Sequence, residues 1–243
     1  MKLHYTVERL PSQTSPPNHS VQNHSDFPLP SHPSPSAFND SPPWDNITPL
    51  TISNHMGTKP DHFPFVQAKL AYDDNALYVI FRVEDNYVQA VAENHQAQVC
   101  SDSCVEFFFT PSEDISSGYF NLEMNCGGTA LFHHQTAKGE NCVSISEDHL
   151  DKLTIAHSLP SIVDPEMQEP VIWTVEYRLP TDILSDYAPT IRPAENVQWH
   201  ANFYKCADHS SHPHWLTWSP IDRPKPDFHR PEYFGTLEFT NEK

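Results

Sequence analysis

Between residues 103 and 125, apolar and polar positions alternate with a period of two, interrupted once by a polar turn. Successive side chains of a strand point to opposite sides. Val105, Phe107 and Phe109 therefore share one face of the first run, and Cys104, Glu106 and Phe108 the other. The second run places Phe120, Leu122 and Met124 on an apolar face, with Asn121, Glu123 and Asn125 on a polar one. Pro111, Ser112, Glu113, Asp114 and Gly118 lie between them, so a hairpin is predicted over 103–125. Glu106 breaks the pattern. A carboxylate in the middle of an apolar strand costs free energy unless it is paired, hydrogen-bonded or wet. A register that aligns Glu106 with Asn121 and Glu123 would build a polar platform on an otherwise apolar sheet.

The same period recurs along the chain. Residues 65–71 and 76–84 read as strands joined at Asp73, Asp74 and Asn75, whose side chains favour turns. Leu77, Val79, Phe81 and Val83 form a core face there, as do Trp173, Val175, Tyr177 and Leu179 in 171–179. In 197–205, Trp199, Ala201, Phe203 and Lys205 alternate with His200, Asn202 and Tyr204. Shorter candidates lie at 3–7, 88–92, 129–132, 143–146, 153–157, 215–218 and 233–239, and Thr181 could cap one helical turn. The 24 Pro against 6 Gly disfavour long helices. The expectation is an all-β chain: a two-sheet antiparallel β-sandwich, jelly-roll-like, of about ten or eleven strands.

The chain divides into a short N-terminal edge strand (1–10), a Pro/Ser/His-rich long loop or disordered segment (11–43) and a β-sandwich domain (44–243). The middle segment has too little apolar surface to offset its ordering entropy, and His19, His24 and His32 in it read as incidental. A formal charge of −18 would repel phosphates, so no nucleic-acid partner is expected. No apolar run is long enough to span a bilayer, so no membrane partner is expected either. The 5 cysteines lack a framework spacing and read as free thiols. With no signal peptide visible, the default compartment is cytoplasmic, with secretion left open.

Asp102, Glu106 and Glu123 are the carboxylates with a choice of chemistry. They suit a glycosidase pair, hydrogen bonds to a ligand's hydroxyls, or structural pairing with an arginine such as Arg82. Cys100 and Cys104 do not have Cys-x-x-Cys spacing, and the methionines read as core filler, so neither zinc nor haem is expected. Asp73, Asp74 and Asp85 are candidate calcium ligands. Trp199 and Trp218 occupy alternating strand positions and read as core. Trp215 and Phe228, nearer loops, are better placed to stack on a sugar ring.

Three motifs in order resemble family 9 carbohydrate-binding modules: Asp73, Asp74, Leu77, Tyr78 and Val79; then Asp102, Ser103, Val105, Glu106 and Phe108; then Pro231, Phe234, Gly235 and Leu237. The match runs from about Trp44 to Phe239, and stretches 202–206, 212–221 and 228–235 look like a family 9-like subgroup. The resemblance implies a sandwich of two antiparallel sheets, often with bound calcium and without catalysis, in modules accessory to xylanases. It also implies a pocket that holds a sugar between two tryptophans and hydrogen-bonds it through the glutamate matching Glu106. Asn121 and Glu123 stand where the family typically carries Arg and Asn. Val99 and Cys100 take the place of the first tryptophan, and Phe228 that of the second. The expected function is non-catalytic saccharide binding: Glu106, Asn121 and Glu123 as the polar platform, Phe228 or Trp215 stacking, and Arg82 orienting a carboxylate. A glycoside hydrolase and a ligand-free protein-interaction sandwich are the alternatives.

Overall fold

The computed structural model describes residues 2–10 and 43–241, so the loop expected over 11–43 lies outside them apart from Pro43. Among the described residues the alternating runs form sixteen strands. The first six are β1 (His4–Arg9), β2 (Leu50–Ile52), β3 (Asn54–His55), β4 (Phe65–Tyr72), β5 (Ala76–Asp85) and β6 (Val88–Ala90). The predicted hairpin is β7 (Cys104–Thr110) and β8 (Tyr119–Asn125), followed by β9 (Ala130–Gln135), β10 (Val143–Ser144), β11 (Thr154–His157) and β12 (Val163–Met167). The chain ends with β13 (Val171–Pro180), β14 (Gln198–Cys206), β15 (Trp215–Thr217) and β16 (Gly235–Thr240). Strands β2, β3 and β12 had no counterpart in the periodicity, since runs this short or this exposed carry little alternation. Thr181 opens a 3-10 turn, Thr181–Asp186. No helix among the described residues is long and apolar enough to cross a membrane.

Instead of two separate sheets, fourteen strands form one continuous ladder, ordered β10-β9-β8-β7-β14-β16-β1-β4-β5-β13-β11, with β15, β3 and β2 branching from it. Strands β6 and β12 form a separate ribbon. The ladder curls on itself: Phe81 of β5 and Phe203 of β14 are four strands apart along it, yet their ring centroids are 6.1 Å apart. The curled halves are the two layers of a sandwich. Their inward faces, including Val79, Phe81, Phe107, Phe109, Trp173, Trp199 and Phe203, make one core.

Strand β1 joins the halves, and here the expectation of an edge strand is corrected. It lies inside the sheet, parallel to both β16 and β4. Its alternation reports a buried face through Tyr5 and Val7. Alternation says nothing about what completes the backbone hydrogen bonds on either side, and both neighbours are distant in sequence.

The outward faces are covered too. Phe108, Tyr204 and Phe228 belong to an apolar cluster outside the β7/β14 half, and Trp44, Tyr78 and Ile80 to another outside the β4/β5 half. Gly118 closes the β7–β8 hairpin at φ +94°, where a Cβ would stand 2.6 Å from the carbonyl oxygen of Gln135. A side chain at this position would push the hairpin off β9.

Candidate functional site

The register of the hairpin places Glu106 directly opposite Glu123, with Phe108 opposite Asn121 and Cys104 opposite Asn125. On the other side of β7, Tyr204 faces Glu106 and Cys206 faces Cys104. The polar platform therefore forms on the outward face of β7, β8 and β14. It opens into a cleft of about 290 Å³. Glu106, Glu123 and Cys206 line its floor, while Trp215, Phe228 and Asp208 line its walls.

Each carboxyl is held differently. Glu106 Oε1 accepts from the Cys206 thiol at 3.1 Å. Glu123 Oε1 accepts from Asn121 Nδ2 at 2.9 Å, and Asn121 Oδ1 in turn accepts from Gln135 Nε2 at 2.8 Å. Asn121 thus buttresses Glu123 from behind and does not line the cleft. Only 2% of Glu106 and 6% of Glu123 is exposed. Burial, and then the facing Glu123, raise Glu106 well above the ordinary carboxylate range. Burial pushes Glu123 up to about 7, with the Asn121 bond pulling the other way. Near neutral pH the pair retains protons, and a protonated carboxyl both donates and accepts hydrogen bonds.

The walls are aromatic. Trp215 is half-buried and donates Nε1–H to Asp208 Oδ1 at 2.7 Å, which fixes its ring. Phe228 is stacked on Tyr204 with centroids 4.2 Å apart and planes 11° apart, so one face of its ring is already covered. His229, also lining the cleft, has Nδ1 2.9 Å from the Tyr119 hydroxyl and 3.3 Å from Gln135 Nε2. Amide nitrogen only donates, so this ring nitrogen accepts. Burial lowers His229 to about 4, which keeps it neutral. Lys138 is the cation of the lining, and it is 3.2 Å from Asp227.

Asp102, grouped with the glutamates from the sequence, does structural work instead. Its carboxylate accepts from the backbone N–H groups of Val91 and Ala92, both at 3.1 Å, and from Asn125 Nδ2 at 2.8 Å. Arg82 is also not brought to the cleft. Its guanidinium donates to Glu84 at 2.7 Å. It lies on the outward face of β5, so the sandwich core separates it from Glu106. As expected, Trp199 and Trp218 are in the core.

The candidate calcium ligands do not converge. Asp73 Oδ1 accepts from the N–H groups of Asn75 and Ala76, and its Oδ2 from the Tyr78 hydroxyl. Asp74 pairs with Arg9. Asp85 lies at the far end of β5, about 30 Å along the strand. There it is buried between His62 Nε2 at 2.6 Å and the Lys205 ammonium at 3.4 Å. With Asp85 at the opposite end of β5 from Asp73 and Asp74, the three residues do not converge on one ion.

Cys206, Asp208, Lys138, Asp227 and His229 were not singled out from the sequence as parts of one site. Their only signal was that two of them, Cys206 and His229, fall in the stretches 202–206 and 228–235, and no local pattern connects the five to β7. The family model for carbohydrate-binding family 9 matches residues 45–239. A putative carbohydrate-binding protein from Bacteroides uniformis is 25% identical, with a TM-score of 0.81 covering 98% of this chain and 100% of that one. A family 9 module from Caldicellulosiruptor kristjanssonii in complex with glucose is 14% identical, with a TM-score of 0.58 over 99% of this chain and 97% of that one. The same description in complex with cellotriose gives 16% identity and a TM-score of 0.54, over 99% and 95% of the two chains. No curated protein matches the chain in sequence. The matched span covers most of the chain, from just after Trp44 to the last strand, and includes every residue that forms the cleft: this protein belongs to carbohydrate-binding family 9.

Proposed function

We propose that the cleft over β7, β8 and β14 binds the end of a saccharide chain. The observation that carries this reading is the in-register pair of Glu106 and Glu123, aimed from the sheet into a cleft walled by Trp215 and Phe228. Sugar hydroxyls need both donors and acceptors, and a carboxyl pair that retains protons supplies both. The Trp215 ring offers an apolar wall for the C–H face of a pyranose. At about 290 Å³ the cleft is at the small end of ligand sites, roughly 300–1,000 Å³, which suits a chain end better than a long chain. Family membership supports a binding module, and glucose and cellotriose occupy modules of similar fold.

Hydrolysis is disfavoured by placement. Glycosidases need two carboxyls flanking the scissile bond, whereas Glu106 and Glu123 rise side by side from one floor. Calorimetric titration with glucose, xylose, cellobiose and xylobiose tests the proposal. Saturable heat is expected with at least one of them, and Glu106→Ala should remove it while melting like the parent. Silence with all four sugars overturns the saccharide reading, and unchanged affinity in Glu106→Ala moves the site elsewhere.

A further inference from the structure

Beside Glu106, the cleft floor contains two thiols that saccharide recognition does not use. Cys104 and Glu106 are two residues apart on β7 and share its outward face, while Cys206 stands opposite Cys104 on β14. One ligand atom from each of these three buried side chains lies within 4.8 Å of the other two. Among the described residues this is the only group of three His, Cys, Asp or Glu donors gathered so closely.

We propose that Cys104, Cys206 and Glu106 hold a zinc ion at the base of the cleft. In a tetrahedral site with Zn–S near 2.3 Å and Zn–O near 2.0 Å, neighbouring ligand atoms are about 3.5–3.8 Å apart. The Cys206 sulfur and Glu106 Oε1 are 3.1 Å apart, so the ion needs side-chain adjustments of about 1 Å and no movement of the sheet. Two sulfurs with one carboxylate oxygen suit a borderline-soft ion and do not suit calcium, which takes six to eight oxygens. Three protein ligands leave a fourth position open. Glu106 and Cys206 both line the cleft, so that position faces it and takes water or a ligand oxygen. Binding releases at least the two thiol protons, because thiols near neutral pH are largely protonated and the ion takes thiolates. The site does not depend on the saccharide reading: metal uptake and sugar heats are separate measurements, and titrating sugar in chelator and then with one equivalent of zinc keeps them apart.

The test is anaerobic titration of the reduced, metal-free full chain with cobalt(II), an optical stand-in for zinc. One equivalent should produce a near-ultraviolet thiolate-to-cobalt band and a tetrahedral visible band, both bleached by zinc. Cys104→Ser and Cys206→Ser should each abolish the near-ultraviolet band. Cys142→Ser, which alters an exposed thiol elsewhere, should leave it intact. If either serine variant fails to fold, Glu106→Gln decides. It keeps the side-chain shape, and zinc affinity measured against a chromophoric chelator should fall by at least the roughly tenfold that losing a hydrogen bond to a ligand costs. No thiolate band in the parent, a band that persists without Cys104 or Cys206, or unchanged affinity in Glu106→Gln overturns the proposal.

Discussion

Glu106 and Glu123 face each other across β7 and β8 with both carboxyls buried. Lys138 on the lining is engaged with Asp227, and Lys205 points to the opposite side of β14 toward Asp85. A carboxyl whose folded pKa lies above its unfolded value stabilises the fold at low pH, and that contribution is lost as pH rises through the window between the two values. For Glu123 the window runs from 4.5 to about 7. In chelator, Glu123→Gln is therefore expected to melt higher than the parent at pH 8 and about the same at pH 4.5. The difference is of order 3 kcal/mol. Equal melting points at pH 8 would show that the pair is not strained.

Asp85 has the opposite sign. Burial would raise it, but Lys205 and then His62 outweigh burial and hold it at about 2, below its ordinary 3.8. Its stabilisation is present above pH 4 and lost as pH falls toward 2. Removing one partner leaves an uncompensated buried charge, so Lys205→Met is expected to cost about 3–5 kcal/mol at pH 7 in urea unfolding. The same substitution should cost much less near pH 2, where Asp85 is becoming neutral.

Trp215 and Phe228 both wall the cleft but should separate in their effects. Trp215 is half-buried and positioned by Asp208, so Trp215→Ala should weaken sugar binding by up to about tenfold, the scale of an aromatic contact of roughly 0.5–1.5 kcal/mol. Phe228 is packed on Tyr204, and Phe228→Ala should lower stability by about 3 kcal/mol or more. Calorimetry and urea unfolding on the two variants check both.

Arg82→Ala should leave sugar affinity unchanged in calorimetric titration, since its guanidinium pairs with Glu84 on the outward face of β5. A loss of binding in this variant would mean that the saccharide sits on the other face of the sandwich.

Much of the hairpin was legible in the sequence. Period-two alternation sets which residues share a face, and that alone predicted that Glu106, Asn121 and Glu123 would stand together if the two runs paired. It also placed Trp199 in the core and, on the same grounds, Lys205 on the inward side of β14. Alternation could not say which of the sandwich's two outward faces a residue occupies. Arg82 and Glu106 are both outward on their strands, yet the whole core lies between them.

What the chain determines by itself is the set of strands and the parity of each position, because both follow from local backbone geometry and the burial of every second side chain. Which strands become neighbours was decided only by the tertiary structure. Cys206 meets Cys104 across about a hundred residues of sequence, and β1 closes the sheet between two partners that no nearby residue specifies. Backbone hydrogen bonds are identical along every strand and carry no sequence label. Partner choice is settled instead by how the curled sheet buries its inner faces together, and the acidic, thiol-lined cleft is a consequence of that closure.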